Sequence, residues 1–479
     1  YLPYGNQEWN QEYSPSYALF DVEGDTISVK VYNLDGDSQD PSSKEIDSFR
    51  VTKNSDGGEK SKGFENNSAS LKLTQAARYD SGMVNEDGGV MEIIDYNKKT
   101  GWAYSVNGQS GKLTAIPMNT SKSKLDASGD KIKLLDGNDI DVKAIVNAAG
   151  YTYGDMTSVS VSPDGKWLTA SVQAENYAAN GLAVIFKCND DGTLKFEEVA
   201  EVGVQPDMIT FTPDGTKILT ANEGEPREGY SSGAEDPAGS VTIINITETA
   251  DGLEVSPRNA GFEAWDSAEK RAELVSRGIV LKKDTAPSLD LEPEYIATTD
   301  KTAYITLQEA NAVAELDIEK GEITNIYSVG FEDYSKTAVD IDKKDGKYAA
   351  KTYEDLLGIR MPDGISLYQA DGKTYLLTAN EGDAREWGTE TDKYSNEDER
   401  NFGKGKTSPT GKITPENSGL TGKVVFYDVS AADGLDSSKD YIFGGRSFTI
   451  FEVDESGLKE VYDSGNDFEA KTAVYLPEY

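Results

Sequence analysis

The sequence of 479 residues carries 85 acidic against 47 basic residues, which gives a formal net charge of −38. This balance disfavours nucleic acids and anionic membranes as partners, because both are recognised by basic patches. It favours cations, a high-salt environment or high solubility. With 37% hydrophobic residues and no apolar run long enough to cross a bilayer, the sequence predicts a protein that does not insert into membranes.

The chain has no histidine and a single cysteine, Cys188. Ser-His-Asp and Cys-His catalytic arrangements are therefore excluded, and a zinc site would lack its usual nitrogen ligands. Cys188 cannot form a disulfide within the chain. Ions that prefer oxygen ligands, such as Ca²⁺, remain compatible with this composition.

The first part of the chain predicts three β-strands, separated by Glu-Gly-Asp and Asn-Leu-Asp-Gly turns. The next segment, residues 54–70, is polar and rich in Gly, Ser and Lys, which is typical of a linker. We therefore expect a small β module at residues 1–53, a linker at 54–70 and a larger domain over 71–479.

Within the larger domain a unit recurs that has an inner strand, an Asp-Gly or similar turn, a second strand, a loop and a third strand. Because one such sheet cannot bury both its faces alone, consecutive units must stack. The pattern predicts an all-β fold, a β-propeller of about seven blades whose last blade can be incomplete. A series of β-sandwiches is the alternative. Six copies begin at Gly89, Thr157, Met208, Tyr295, Gly364 and Arg446.

Long insertions interrupt these units. Residues 251–290 predict a helix that Asp266 caps, with Glu269 completing a capping box and Gly278 at its end. The segment from Lys347 to Gly358 is a second helix candidate. Residues 386–421 are polar and rich in glycine, so we expect a surface excursion there.

One segment occurs twice almost unchanged. Residues 219–228 read Leu-Thr-Ala-Asn-Glu-Gly-Glu-Pro-Arg-Glu, and residues 377–386 read Leu-Thr-Ala-Asn-Glu-Gly-Asp-Ala-Arg-Glu. Both copies follow a Pro-Asp step and a short β-like run, at Pro206-Asp207 and Pro362-Asp363. The repeat places the same carboxylates at the same point of each structural unit.

Further motifs along the chain are Gln205-Pro-Asp-Met-Ile-Thr-Phe, Ala221-Asn-Glu-Gly-Glu-Pro, Leu291-Glu-Pro-Glu-Tyr-Ile-Ala, Tyr304-Ile-Thr-Leu-Gln-Glu, Pro362-Asp-Gly-Ile and Phe443-Gly-Gly-Arg-Ser-Phe. With these motifs the chain resembles the choice-of-anchor I family of secreted and surface-attached bacterial proteins, from about Leu71 to the end of the chain. The resemblance implies a propeller that is often labelled alkaline-phosphatase-like and can be fused to metallophosphoesterase domains. Residues 1–53 resemble the closing strands of such a phosphoesterase. Its metal site would need histidines, which this chain lacks. Family members also continue into a further acidic blade beyond the point where this sequence stops.

The acidic repeats suggest a metal site at one mouth of the propeller channel. Carboxylates at the starts of inner strands, each beside a proline, and carboxylates in the Asn-Glu-Gly turns should meet at the same rim. Asp87 precedes the first inner strand, and Asn222 and Asn380 would add neutral oxygens. Ca²⁺ takes six to eight such oxygens in flexible geometry. The predicted metal ligands are Asp207, Glu223, Glu225, Glu292, Glu294, Asp363, Glu381 and Asp383.

Three interpretations of these carboxylates remain open. They can pair with turn amides and with Arg227 and Arg385, which occupy equivalent places in the repeat. They can bind Ca²⁺. They can also form a hydrolytic site like that of calcium-dependent β-propeller phytases, in which several cations activate water and the arginines hold phosphate.

Two further motifs allow a functional and a structural interpretation. Arg446 of the Gly-Gly-Arg motif can face the channel or form a salt bridge beside a strand that glycines bend. Asp463, Asn466 and Asp467 can bind an ion or form a polar turn around Gly465.

The sequence thus favours a binding or structural module over an enzyme. The module would be extracellular or at the cell surface, stabilised by Ca²⁺, and part of a larger surface protein. Attachment to the cell wall or surface would use regions outside this chain, and self-assembly into an oligomer or filament is one form of the hypothesis. The alternative is a calcium-dependent phosphoesterase.

Overall fold

The computed structural model describes residues 77–84, 89–118, 133–230, 233–250, 252–342, 347–385, 407–419, 423–454 and 457–476, together with the backbone of strands at 16–23, 26–35, 42–52 and 400–404. The chain divides into two compact units. The predicted linker at 54–70 and Asp87 lie outside the described residues.

The first unit comprises Tyr1–Met83 and Asn119–Gly137. Its described strands form a three-stranded antiparallel sheet and a separate parallel pair. The sheet contains β1 (Ser16–Glu23), β2 (Thr26–Asp35) and β3 (Ser42–Thr52), and the pair contains β4 (Ala77–Tyr79) and β8 (Lys133–Leu135).

The second unit, Val84–Met118 and Asn138–Tyr479, contains five four-stranded antiparallel sheets within its described residues, which we call blades 1 to 5. In each sheet the strands are hydrogen-bonded in chain order. Blade 1 contains β5 (Ile94–Asn97), β6 (Trp102–Asn107), β7 (Lys112–Pro117) and β9 (Asn138–Asp141); blade 2 contains β10 (Tyr153–Val161), β11 (Trp167–Ala174), β12 (Asn180–Cys188) and β13 (Leu194–Val204). Blade 3 contains β14 (Pro206–Phe211), β15 (Lys217–Asn222), β16 (Ser240–Thr249) and β17 (Gly252–Gly261); blade 4 contains β19 (Ile296–Thr298), β20 (Thr302–Leu307), β21 (Ala312–Asp317) and β22 (Glu322–Ser328). Blade 5 contains β25 (Pro362–Ala370), β26 (Lys373–Asn380), β31 (Ser447–Asp454) and β32 (Gly457–Asp463).

The blades stack face to face in chain order. Successive side chains of a strand point to opposite faces, so neighbouring residues of each second strand enter different cores. Leu168 packs in the core between blades 1 and 2, whereas Trp167 packs between blades 2 and 3. In the same way, Ile218 packs in the core between blades 2 and 3, and Leu219 packs in the core between blades 3 and 4. This stacking confirms the predicted all-β propeller, with five blades in the described residues where the sequence predicted about seven.

Two of the predicted Pro-Asp-Gly turns close the first hairpins of blades 2 and 3. In both, the glycine amide donates to the carbonyl of the first turn residue at 2.8 Å, from Gly165 to Ser162 and from Gly215 to Thr212. Both glycines have positive φ, at 68° and 70°, which favours glycine over residues with a Cβ. The repeated turn therefore follows from the backbone conformation that it must adopt.

The insertions form short sheets and helices outside the blades. β18 (Leu281–Lys282) pairs with β29 (Ala432–Asp433), and β27 (Arg400–Lys404) pairs with β28 (Lys423–Tyr427). A three-stranded sheet contains β23 (Phe331–Asp333), β24 (Leu356–Ile359) and β30 (Asp440–Phe443). The α-helices are α1 (Val142–Ala148), α2 (Ala268–Ser276), α3 (Pro287–Asp290), α4 (Pro415–Ser418) and α5 (Asp467–Tyr475), and 3₁₀ turns lie at Gly108–Ser110 and Glu263–Trp265. No helix in the described part of the chain is long and apolar enough to cross a membrane.

The structure corrects the predicted N-terminal cap of the first helix and the second predicted helix, whereas Gly278 follows the end of α2 with a φ of 83°, as predicted. α2 is present, but Ser267 caps it by accepting from the amide of Lys270, while Asp266 accepts from Ser288. The helix predicted over residues 347–358 is wrong, because its apolar end forms β24. There, pairing with β23 and β30 satisfies the backbone and outweighs local helix propensity.

The sixth predicted copy is also corrected. Its strands, β31 and β32, are the third and fourth strands of blade 5, hydrogen-bonded directly to β26. β28, the strand-forming segment Lys423–Tyr427 that comes first along the chain after β26 and β27, pairs instead with β27 in a separate sheet. The insertion of 66 residues between β26 and β31 hid this connection, because distance along the chain does not reveal which strands pair.

Candidate functional site

In blade 3 and again in blade 5, the ends of the first two strands place the Pro-Asp step beside the Asn-Glu-Gly turn. Pro206 lies opposite Asn222, and Pro362 lies opposite Asn380, in the antiparallel registers of the first two strands. The residues that follow, Asp207 and Glu223 in blade 3, therefore lie at the same end of the sheet.

Blade 4 repeats this arrangement with a residue that the sequence analysis missed. The amide of Glu294 donates to the carbonyl of Thr306 at 3.1 Å, which places Glu294 beside the end of β20. Glu309 aligns in sequence with Glu223 and Glu381, although it lies two residues after the end of β20 and they follow β15 and β26 directly. The signal was the alignment of Thr-Leu-Gln-Glu309 with Thr-Ala-Asn-Glu, but Gln replaces Asn and no glycine follows.

Blades 3, 4 and 5 thus each contribute a pair of carboxylates, and neighbouring loops add more. We call this set the rim cluster. Its least exposed members are Glu292 and Glu309, at 7% and 9%, whereas Glu381 is exposed. The rim cluster consists of the eight predicted ligands and one addition: Asp207, Glu223, Glu225, Glu292, Glu294, Glu309, Asp363, Glu381 and Asp383.

Burial and mutual repulsion make the blade 3 carboxylates hard to ionise. Burial, and then the charges of Glu225 and Asp363, raise the pKa of Asp207 to about 7, although Arg227 opposes the shift. Burial, and then the charges of Asp207 and Glu225, raise the pKa of Glu223 well above its usual value. These residues therefore hold protons at a pH where exposed carboxyls are ionised.

The blade 5 and blade 4 pairs behave in the same way. Burial, and then a hydrogen bond with Glu381, raise the pKa of Asp363 to about 6. The pKa of Glu294 is raised by burial and then by the charges of Glu309, Glu223, Asp363 and Asp207, all of them carboxylates. Glu294 therefore connects the three pairs electrostatically.

The positive charge of Arg385 partly offsets the shifts in the pKa of Glu292 and Glu309. Burial raises the pKa of Glu309 to about 8, and the charge of Arg385 opposes that shift. The pKa of Glu292 is raised well above its usual value by burial and then by Glu309 and Glu225, again against the charge of Arg385.

The two arginines of the repeat differ in their contacts. Arg227 donates from Nε to its own turn residue Glu225 at 3.2 Å, with 33% and 20% of the two side chains exposed. Arg385 binds Asp290 of α3 through Nε at 2.6 Å, with only 1% and 2% exposed. One sequence position thus gives a partly exposed local ion pair in blade 3 and a buried long-range ion pair in blade 5.

The asparagines of the repeat join adjacent strands within their own blades; that they also supply oxygens to an ion stays a prediction. Asn222 accepts from the hydroxyl of Thr220 and donates to the hydroxyls of Ser240 and Thr242. Asn380 makes the equivalent bonds with Thr378, Ser447 and Thr449. In both side chains the oxygen accepts from a threonine of the same strand, and the nitrogen donates to hydroxyls of the neighbouring strand.

The cluster is not a preformed chelate. Among the described residues, no three acidic or thiol side chains converge in a way that could hold a metal ion. The donor set consists of oxygens, the ligand type that Ca²⁺ prefers.

The remaining candidate motifs have structural roles in the described contacts. Arg446 donates from Nη1 to the carbonyl of Asp340 at 2.6 Å and to Glu469 at 3.0 Å, as the salt-bridge interpretation expected. Asp463 accepts from the amide of Gly465 at 2.7 Å, which favours the polar turn. Asp463 also accepts from Ser447 and therefore belongs to the polar network of blade 5.

The fold and the site define an acidic β-propeller with carboxylates at the ends of its inner strands. The family model of the choice-of-anchor I domain matches residues 92–479, and the chain therefore belongs to this family. No curated protein matches the sequence.

Solved structures with similar folds are distant. The hydrazine synthase of Kuenenia stuttgartiensis is 14% identical with a TM-score of 0.30, and the match covers 67% of this chain and 81% of that chain. The β-propeller domain of Cps50 (Swd1) from Myceliophteria thermophila is 10% identical with a TM-score of 0.32, over 78% of this chain and 86% of that one. A protein from Lactobacillus plantarum is 11% identical with a TM-score of 0.34, over 77% and 78%. These similarities carry no argument about function.

Proposed function

We propose that this chain is an extracellular, cell-surface binding or structural module whose rim cluster binds Ca²⁺. The observation that carries the proposal is the excess of carboxylates at the rim. Blades 3, 4 and 5 each contribute an acidic pair to the rim. Arg385, the repeat arginine of blade 5, is already bound to Asp290. Buried like charges need protons or a cation among them, and a divalent ion can replace the protons at neutral pH.

The surface location rests on the choice-of-anchor family membership and on the net charge of −38. Residues 1–53, as the closing strands of a metallophosphoesterase, would make the propeller one module of a larger protein. Attachment through other regions, and assembly of copies into an oligomer or filament, belong to the same proposal.

Arg227 favours one second candidate, a calcium-dependent phosphoesterase. Among the described contacts its guanidinium donates to Glu225 through Nε, and a third of the side chain is exposed beside the rim cluster. Bound cations together with an arginine could hold a phosphate group without histidine.

Calorimetric titration of Ca²⁺ into chelator-treated protein at neutral pH tests the proposal. We expect binding with a Kd on the order of 10⁻⁴ M, as in extracellular modules, and a raised melting temperature. The triple variant Asp207→Asn, Glu294→Gln, Asp363→Asn should lose both effects, because it removes one carboxylate from each blade. Absence of binding and of stabilisation up to about 10 mM Ca²⁺ would overturn the proposal.

A matched control removes three exposed carboxylates from blades 3 and 4. The variant Glu254→Gln, Glu319→Gln, Glu322→Gln changes the net charge equally and should bind Ca²⁺ like the wild type.

The same samples are assayed for release of phosphate from p-nitrophenyl phosphate. Release that requires Ca²⁺ and is lost in Arg227→Met would favour the phosphoesterase instead.

A further inference from the structure

The two copies of the duplicated motif carry the same apolar side chains in different surroundings. In blade 3, Leu219 and Ala221 are fully buried in the core between blades 3 and 4. In blade 5 the equivalent Leu377 is half-buried, and Ala379 is exposed. The side chains that join two blades in one copy of the motif are therefore left uncovered in the other copy.

These residues belong to a larger apolar surface on one side of blade 5. Phe448 of β31 lies opposite Ala379. Tyr368 of β25 lies opposite Tyr375, with 6.4 Å between the two ring centroids. We call this surface the open face, and it consists of Tyr368, Tyr375, Leu377, Ala379, Phe448 and Ile450. Of this set only Ile450 is buried.

The open face points away from blade 4. Side chains alternate along a strand, and Leu376 and Phe451 fill the core between blades 4 and 5 from the other side of the sheet. On the open side, Lys373 and Glu452 form an ion pair at the end of the strands away from the rim cluster. The face is therefore apolar in its middle, and the charges of this ion pair lie at its edge.

A β-sheet covers the equivalent face of blade 3. There Ile305 and Leu307 of β20 pack in the same core as Leu219 and Ala221. Stacked sheets meet face to face about 10 Å apart through such apolar side chains. The partner of the open face should therefore be another sheet with an apolar face.

Two observations favour a second copy of this chain as that partner. Blade 1, at the other end of the stack, does not offer a matching face, because Ala103 and Ile116 on its side away from blade 2 are already only 3% and 4% exposed. A second copy brings the open face itself, and a two-fold axis, the commonest symmetry of homo-oligomers, would place the two faces against each other. The aromatic residues Tyr368, Tyr375 and Phe448 are of the type enriched at protein interfaces.

We propose that the open face is the contact between two copies of this chain, in which blade 5 of one copy packs on blade 5 of its partner about a two-fold axis. The inference rests on the proposed function, since it assigns a surface to the assembly of copies, but it does not require Ca²⁺. Two chains of net charge −38 repel each other. We therefore expect a weak dimer, with a Kd on the order of 10⁻⁵ M, that tightens as salt screens the charges.

Sedimentation velocity of the full chain, in chelator and about 0.5 M NaCl, tests this contact. We expect the mass to double as the concentration rises from about 1 to about 100 µM. Ala379→Glu places two like charges in the apolar contact and should raise the Kd at least about 100-fold. The melting temperature of the dilute monomer should not change, because Ala379 is exposed in a single copy.

Ser256→Glu is the matched control. It adds the same charge at an exposed position of β17 in blade 3, away from the open face, and should leave the dimer intact.

Cross-linking gives a second measurement that needs no disruptive charge. In a Cys188→Ser background, which removes the natural thiol, a short bis-maleimide should join two copies of Ala379→Cys but not two copies of Ser256→Cys. If Ala379→Glu does not fold, this comparison takes its place.

A chain that stays monomeric at about 100 µM overturns the inference. So does a dimer that Ala379→Glu and Ser256→Glu weaken equally, or one that cross-links no better through Cys at 379 than through Cys at 256. Calorimetry with Ca²⁺ on the same protein keeps the two proposals apart. A monomer that binds Ca²⁺ overturns this inference alone, whereas a dimer that binds none overturns only the cation site of the proposed function.

Discussion

Without Ca²⁺, the protein should melt at a higher temperature at pH 5 than at pH 8. The pKa values of Asp363, Asp207 and Glu309 are raised to about 6, 7 and 8, against roughly 4 for carboxyls in an unfolded chain. Between these limits the folded state holds more protons than the unfolded state, so the free energy of unfolding falls as pH rises. We expect a difference of at least about 5 °C by calorimetry in chelator.

Saturating Ca²⁺ at pH 8 should recover most of this loss, because the ion compensates the ionised carboxylates. The triple variant Asp207→Asn, Glu294→Gln, Asp363→Asn is the control, and its melting temperature should depend less on pH. Two lysines lower the pKa of Asp355 to about 2. For this residue the free energy of unfolding falls as the pH falls, but only below about pH 4. A chelated wild type that melts higher at pH 8 than at pH 5 would contradict this account.

Substitution of the two repeat arginines should have very different effects on stability. Arg385→Met leaves the buried Asp290 without its ionic partner, and breaking a buried pair costs about 3–5 kcal/mol of unfolding free energy. Arg227→Met removes a partly exposed pair with Glu225, for which we expect about 1 kcal/mol or less. Urea denaturation of both variants gives the comparison.

A double-mutant cycle with Asp290→Asn separates the ion pair from packing effects. The Arg385→Met, Asp290→Asn double variant should be less destabilised than the sum of the single variants, since neither charge is then left unpaired. Equal losses for Arg227→Met and Arg385→Met would show that the two arginines have the same role after all.

The repeat itself made the fold and six of the nine carboxylates of the rim cluster predictable. Pro-Asp-Gly turns and the period of the strands indicate stacked blades, and the duplicated motif places Asp207 beside Glu223 and Asp363 beside Glu381. These relations are local, because each pair belongs to one hairpin whose register the turn fixes.

The misses have two causes, contacts between residues far apart in the chain and a local change in the repeated motif. Asp290 lies 95 residues from Arg385, and nothing in the repeat distinguishes this arginine from Arg227. Glu309 was missed because Gln308 and Ala310 replace the Asn and Gly that mark the motif elsewhere. The helix predicted over residues 347–358 failed since strand pairing across the insertion outweighs local propensity.

The most direct test of the central claim is an anomalous-difference map from crystals grown with Ca²⁺ near neutral pH. A cation held by the rim cluster should give a peak within about 2.3–2.6 Å of carboxylate oxygens from at least two of Asp207, Glu294 and Asp363. A map without a peak at the rim, or with peaks only at exposed turns, would contradict the proposal that the carboxylates of blades 3, 4 and 5 form a cation site.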